Sequence, residues 1–412
     1  MNSLLNKIRK RLAALESPTI IHHYDADGIS SAAIIELFLE KMGKKVEKIS
    51  LKVLDNENLS KIKDIPEKVI VDFGTNVGDQ LPDAIIIDHH TPQAQYPNVF
   101  NPHYFGIDGS REASTSSLAA LITGENEDIA LIGITGDRQP FVGINKQHLD
   151  QAIEKGLVEV IEDIKLFGRR SRPVHVMLTY AFPDFLQSPK QVHAFLKRLN
   201  IRVKEGVRWL TYEELSLEEK VRLASAIVEK ALYMWGIEKI DEVYGTNYIL
   251  RRWSYDLKEI TTIVNATGRQ GKSEVGIAIC KGDLKALQEG LRLLKKHQRE
   301  VAKGLRLAEN ELEDMGGFYL LDGRGKVSDG VIGVVISILE RDYDRPLVGI
   351  AYDGERIKLS MRGSNIHVGK VIEEVLKEVD GIGGGHERAG GAHLEQEDLE
   401  RFLEVLNKKL RK

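Results

Sequence analysis

Residues 19–28 read Thr19-Ile20-Ile21-His22-His23-Tyr24-Asp25-Ala26-Asp27-Gly28, an apolar β-type run that breaks into histidine, two aspartates and glycine. Residues 28–41 then carry Ile29, Ala32, Ala33 and Leu37 at helical spacing, so the order is strand, polar loop, helix. Apolar runs at 47–53, 68–72 and 84–88 also read as buried strands, and residues 114–122 repeat the helical spacing. Near-continuous apolar strands alternating with helices predict an α/β domain whose parallel sheet is covered on both faces. Ligands of such sheets sit beyond the carboxyl ends of the strands. The polar clusters fall there: 23–28 after the first strand, Asp72-Phe73-Gly74 after the third, and Asp88-His89-His90 closing the fourth.

Composition narrows the class. The 412 residues are 42% hydrophobic and 29% charged, and 58 Lys plus Arg against 62 Asp plus Glu leave a formal charge of −4. That balance gives no overall pull toward nucleic acid, so any such binding needs a local basic patch. A single cysteine, Cys280, excludes a disulfide scaffold and a thiolate zinc cluster. The first 16 residues are basic and amphipathic without a secretory apolar core, and no apolar run reaches about 18 residues. The expectation is a cytoplasmic protein with no membrane association.

Residues 151–236 turn mainly helical, and 283–315 read as one long helix bounded by Gly282 and by Gly316-Gly317. The last hundred residues return to mixed strand and helix. The expected layout is a catalytic domain over 1–282, with a helical section at about 151–260, a connecting helix at 283–315 and a smaller α/β domain over 316–412.

The chemistry concentrates in His23, Asp25, Asp27, Asp72, Asp88, His89, His90 and Asp137. A lone strand-end aspartate is usually a cap or turn residue. Several acidic clusters at strand ends are harder to explain that way, because converging carboxylates repel unless cations neutralise them. Carboxylates with imidazoles and no thiols suit Mn²⁺, with Mg²⁺ also compatible, better than structural zinc.

The motifs His23-Tyr24-Asp25-Ala26-Asp27-Gly28, Asp72-Phe73-Gly74, Asp88-His89-His90 and Gly136-Asp137 resemble the N-terminal motifs of the DHH phosphoesterase superfamily. Gly383-Gly384-Gly385-His386 with Ala389-Gly390-Gly391 is similar to the glycine-rich signature of the DHH-associated domain. The resemblance implies two manganese ions between the lobes. By motif, His23 and Asp25 would bind the first ion, Asp27, His89 and Asp137 the second, and Asp72 both. His90 would contact the scissile phosphate or assist proton transfer, with Asp88 orienting the imidazoles. Some members place the first-motif histidine four residues before the first aspartate, where this chain has Ile21, and His22 competes with His23 for the role.

Asn265-Ala266-Thr267-Gly268-Arg269 resembles a signature of the RecJ exonuclease branch that lies against the nucleic-acid backbone. Gly271-Lys272-Ser273 invites a P-loop reading, which fails because position 266 is alanine and residues 274–280 alternate like a strand. Ser360-Met361-Arg362-Gly363-Ser364 looks like the phosphate-gripping segment of the DHH-associated domain, and Gly383, Gly384 and Gly385 would offer backbone amides beside His386. Arg169, Arg170 and Arg172 form a basic patch, as do Lys295, Lys296 and Arg299. Tyr180, Phe182 and Phe185 stand near the first and are candidates for base stacking or for packing around Pro183.

The resemblance is to archaeal RecJ-like nucleases, including the compact branch associated with the fork helicase–nuclease Hef. It implies a Mn²⁺-dependent exonuclease of single-stranded DNA or RNA, acting in repair or replication beside partners such as a fork helicase; a homo-oligomer is also compatible. Both strand directions are known among such members, and the compact length favours 3′→5′. The competing readings are an oligonucleotide or small-molecule phosphoesterase and a replication scaffold.

Overall fold

A computed structural model describes residues 1–181, 186, 188–385 and 387–411. The chain divides into two compact units, residues 1–268 with 272–290 and residues 269–271 with 291–412.

In the first unit, β1 (Thr19–His23), β2 (Glu47–Leu51), β3 (Lys68–Val71), β4 (Ile85–Ile87) and β5 (Val99–Phe100) make a parallel sheet in the order β2-β1-β3-β4-β5. The expected α/β class is what the chain adopts. Its helices are α1 (Asn2–Ala13), α2 (Ala26–Glu40), α3 (Asn56–Lys63), α4 (Thr115–Thr123), α5 (Glu127–Gly136) and α6 (Gly143–Glu154). Ile21, Ile70, Ile86 and Val99 from the strands join Leu59 and Ile62 of α3 in one buried cluster. On α2, residues 26–36 are all buried, which is why it lacks a polar stripe, and it packs against α4 and α5. Ser114 caps α4, accepting from Ser117 N.

The middle section is less helical than expected. It holds β6 (Val158–Ile164), α7 (Val174–Ala181), α8 (Pro189–Arg198), the hairpin β7 (Lys204–Glu205) and β8 (Arg208–Trp209), then α9 (Leu217–Trp235). Strands β9 (Tyr244–Leu250) and β10 (Tyr255–Asp256) complete an antiparallel sheet with β6. Val174, Leu178, Val192, Leu196, Leu223 and Ile227 give the middle helices a core of their own.

Three helices follow: α10 (Leu257–Arg269), α11 (Ser273–Cys280) and α12 (Leu284–Glu311), and the division between the units falls inside α12. The long helix ends earlier than the expected 315, because β11 (Leu312–Asp314) pairs with β12 (Tyr319–Asp322). The second unit continues with α13 (Asp329–Leu339), β13 (Leu347–Asp353), β14 (Arg356–Arg362), α14 (Val368–Val375), β15 (Ile382–Gly385), β16 (Ala389–Leu394) and α15 (Leu399–Leu410). Its mixed sheet runs β11-β12-β13-β14-β16-β15. No helix among the described residues is long and apolar enough to cross a membrane.

Candidate metal centre

The first-motif loop begins where β1 gives way to α2. Asp25 is the N-cap of α2, its Oδ1 accepting from Gly28 N at 3.1 Å. Gly28 must lack a side chain, since a Cβ there would stand 2.3 Å from His23 O. His23 Nδ1 lies 3.0 Å from Asp25 Oδ2 and 3.3 Å from Asp72 Oδ2. His22 points elsewhere: it is 1% exposed and its Nδ1 meets His23 O at 2.7 Å. Burial lowers the His22 imidazole to about 4, so this ring is held neutral. Of the two candidate histidines, His23 stands among the carboxylates.

Asp27, on the first turn of α2, is wholly buried, and its two oxygens accept from Thr115 N at 2.7 Å and Ser116 N at 3.0 Å. Those donors open α4, so the positive end of a helix faces this carboxylate. Gly133 makes the room, because a Cβ there would lie 2.2 Å from Asp27 Oδ1. Thr115 Oγ1 also donates to Asp72 Oδ1 at 3.0 Å.

Asp72 follows β3 with φ 71°, and its two oxygens face different neighbours. Oδ2 faces His23, whereas Oδ1 lies 3.5 Å from His89 Nε2. His89 Nε2 is also 3.3 Å from Asp137 Oδ2. The Nδ1 of His89 meets Gly109 O at 2.7 Å; a carbonyl can only accept, so Nδ1 carries the proton and Nε2 presents a lone pair. Asp137 ends α5 as its C-cap, at a helix terminus and not at a strand end like the other clusters. His90 Nδ1 sits 2.7 Å from Asp88 Oδ1, and Asp88 Oδ2 accepts from Thr75 N at 2.9 Å. Asp88 thus orients His90, while His89 is held by Gly109.

Electrostatics set this cluster apart. Burial, then the charges of Asp25, Asp27 and Asp137, push the Asp72 carboxyl well above the ordinary range. Asp137 is raised for the same two reasons, burial and then Asp27 and Asp25. Burial alone would lower His23, but Asp25 reverses this and takes it to about 9. Burial opposes ionisation of Asp88, yet its contact with His90 holds it well below the usual carboxylate range.

The residues fit divalent cations. Asp137 Oδ2 is buried and makes no hydrogen bond, although His89 Nε2 is 3.3 Å away, as expected of two lone pairs aimed at one point. Donor atoms gather within 4.8 Å as His23, Asp25 and Asp72, as Asp27, Asp72, His89 and Asp137, and as Asp72, His89 and His90. Asp72 belongs to all three sets. The sequence reading missed Thr115, Ser116, Gly109 and Gly133. The run Ser114-Thr115-Ser116-Ser117 before an apolar helix was a capping signal, but nothing local tied it to Asp27.

Asn265 and Gly268 are on α10, in the same unit, and both contact the first-motif loop of the protein itself. Asn265 Oδ1 accepts from Ala26 N at 2.8 Å, and a Cβ on Gly268 would lie 1.6 Å from Tyr24 O. The P-loop reading fails on Ala266 and because residues 265–269 are helical where a loop is needed; the strand expected at 274–280 is wrong, since those residues belong to helix α11. In the patch at 169–172, Arg169 and Arg170 are engaged within the protein. Arg169 is wholly buried, 3.1 Å from Asp163 and 3.5 Å from Asp256, and Arg170 pairs with Glu213.

The second unit holds the other expected residues. Arg269 Nη1 donates to Gly330 O at 3.3 Å. Arg362 Nε donates to Ser337 Oγ at 2.7 Å and its Nη1 to Met361 O at 2.8 Å. Gly383, Gly384 and Gly385 form edge strand β15, paired with Ala392, Gly391 and Gly390. His386, Phe182, Pro183 and Phe185 lie outside the described residues.

Comparison with known proteins places this geometry. Residues 18–136 match the DHH family N-terminal domain, 166–243 the DHH-CID domain and 316–412 the DHHA1 domain. An uncharacterised protein of Methanocaldococcus jannaschii is 29% identical, the match covering 95% of this chain and 94% of that one. The fold is similar to CDC45 from Entamoeba histolytica, with TM-score 0.68, 13% identity and coverage of 100% and 98%. It is also similar to RecJ from Thermus thermophilus in complex with Mn²⁺, with TM-score 0.60, 16% identity and coverage of 99% of this chain but 54% of RecJ. RecJ of the same source has been solved with Mg²⁺ as well.

Proposed function

Since the chain belongs to the DHH phosphoesterase superfamily, we propose that it is a Mn²⁺-dependent exonuclease, shortening single-stranded DNA or RNA to mononucleotides in the 3′→5′ direction. The observation that carries this reading is the division of Asp72, with Oδ2 facing His23 and Oδ1 facing His89. His23, Asp25 and Asp72 Oδ2 would hold one divalent ion, and Asp27, His89, Asp137 and Asp72 Oδ1 the other. Ions so placed supply Lewis acidity, lowering the pKa of a water and offsetting the charge of a phosphodiester. His90, about half-exposed and steadied by Asp88, is placed to meet a phosphate oxygen or move a proton. In the second unit, Arg269, Arg362 and the amides of β15 would grip substrate phosphates. The RecJ likeness supports Mn²⁺ or Mg²⁺ as the ion, and a cytoplasmic role beside replication or repair proteins such as a fork helicase follows from the same reading.

Digestion of 5′- and 3′-labelled single-stranded DNA and RNA with Mn²⁺ tests it. The wild type should release mononucleotides from the 3′ end. Asp25→Ala and Asp137→Ala should each lose more than about 100-fold, since groups merely behind metal ligands already cost about 10–100-fold. Full activity in either variant would refute the ligand assignment, and faster turnover of dinucleotides than of long strands would favour a small-substrate phosphoesterase. The likeness to CDC45 favours a scaffold as the second reading. Intact Asp25, Asp27, Asp72 and Asp137 argue against it, and failure to take up Mn²⁺ would restore it.

A further inference from the structure

Asn265 is held far from its sequence neighbourhood. Its Oδ1 accepts from the N–H of Ala26 at 2.8 Å, in the peptide group that joins Asp25 to Ala26. Ala26 is the first residue of α2, so this N–H is one of the donors a helix leaves unsatisfied. The neighbouring cap cannot serve it without moving: Asp25 Oδ1 accepts from Gly28 N at 3.1 Å, and Oδ2 faces His23 Nδ1 at 3.0 Å. Without Asn265, the Ala26 donor would compete for the Asp25 carboxylate and draw it away from His23.

The helix that delivers Asn265 is itself anchored. Three residues on, Gly268 lies so close to Tyr24 O that a Cβ would stand at 1.6 Å. Near its start, Glu259 accepts from Gly168 N at 3.0 Å and Arg170 N at 3.3 Å. Thr261 Oγ1 donates to Ile132 O at 3.3 Å, on the α5 helix that ends at Asp137. One helix therefore braces both the loop of Asp25 and Asp27 and the helix that presents Asp137.

We propose that Asn265 is a positioning residue for the metal-binding loop, acting through the Ala26 amide, and not a contact to the nucleic-acid strand. The inference rests on the metal reading above and assigns this side chain a different task within it. Mn²⁺ affinity of the full chain without substrate, followed by the electron paramagnetic resonance signal of free Mn²⁺, is the direct readout. Asn265→Ala should weaken Mn²⁺ binding by about 10-fold or more, while KM for a labelled strand at saturating Mn²⁺ stays within about twofold. Asn265→Asp keeps the accepting oxygen and should stay within about threefold of wild type in Mn²⁺ affinity.

Ala26→Pro removes the same hydrogen bond from the donor side, at a first helical position that suits proline, so it carries the test if Asn265→Ala does not fold. It should reproduce the loss, and the double variant should be no weaker than either single one. Wild-type Mn²⁺ affinity in Asn265→Ala with a raised KM would overturn the proposal in favour of a strand contact. Unchanged affinity in Ala26→Pro would overturn it as well. Absence of Mn²⁺ uptake by the wild type would show separately that the metal reading itself had failed.

Discussion

At the scale of single residues, Asp72 combines two local costs. Its φ of 71° lies in the left-handed region that aspartate and asparagine enter more readily than most residues. Asp72 is 2% exposed, and burial with the neighbouring carboxylates raises its carboxyl well above the ordinary range, so its charge is costly in the metal-free fold. Asp72→Asn keeps the backbone preference and removes the charge. Its metal-free melting temperature should rise by a few degrees, roughly 2–4 °C per kcal/mol regained for a unit of this size, and the increment produced by Mn²⁺ should vanish. A lower metal-free melting temperature would contradict this balance. The acids themselves were legible because each follows an apolar strand or closes a helix in a short motif. Asn265 and Gly268 were legible as a motif but not in their contacts, since Ala26 and Tyr24 lie more than two hundred positions away and no periodicity encodes that contact.

At the scale of elements, each misreading has its own cause, set by packing that local composition does not carry. Residues 274–280 looked like a strand because valine and isoleucine alternate with smaller residues, yet α11 buries Gly276, Ile277, Ile279 and Cys280 and so shows no polar face. The glycine run carries no strand signal, because glycine marks turns. In β15 it permits close pairing, since a Cβ on Gly383 would lie 2.4 Å from Gly391 O. Arg169 and Arg170 read as part of a basic patch because their partners Asp163, Asp256 and Glu213 lie outside the local run of sequence.

Two tests belong at this scale. Arg169→Ala leaves the buried Asp256 and the partly exposed Asp163 uncompensated and should destabilise the first unit by about 3–5 kcal/mol in urea unfolding, with Arg169→Met costing clearly less. Equal, small losses would show the ion pairs to be dispensable. The second concerns His297 on α12, whose imidazole is lowered to about 4, by burial first and then by Arg269. The unfolded chain takes up this proton near pH 6.5 and the folded one does not, so stability is complete above that pH and falls as the pH drops from 6.5 toward 4. The loss of urea resistance between pH 7 and 5 should shrink in His297→Gln. An unchanged loss would remove His297 from the account.

At the scale of the whole molecule, the formal charge of −4 gave no sign of a partner for phosphate. The acidic ligands contribute to that value, and two divalent ions would add +4, cancelling the four carboxylates of Asp25, Asp27, Asp72 and Asp137 at the site itself. The α/β class was legible from alternating strands and helices; the two-unit division inside α12 was not, because a continuous helix carries no mark of where one core ends and the next begins. The most direct test of the central claim is an anomalous-difference map at the manganese edge, from crystals grown with Mn²⁺. Two peaks about 3.5–4 Å apart are expected, one against His23 and Asp25, one against Asp27, His89 and Asp137, with an oxygen of Asp72 on each. A single peak, or peaks without Asp72 among their ligands, would contradict the two-ion centre.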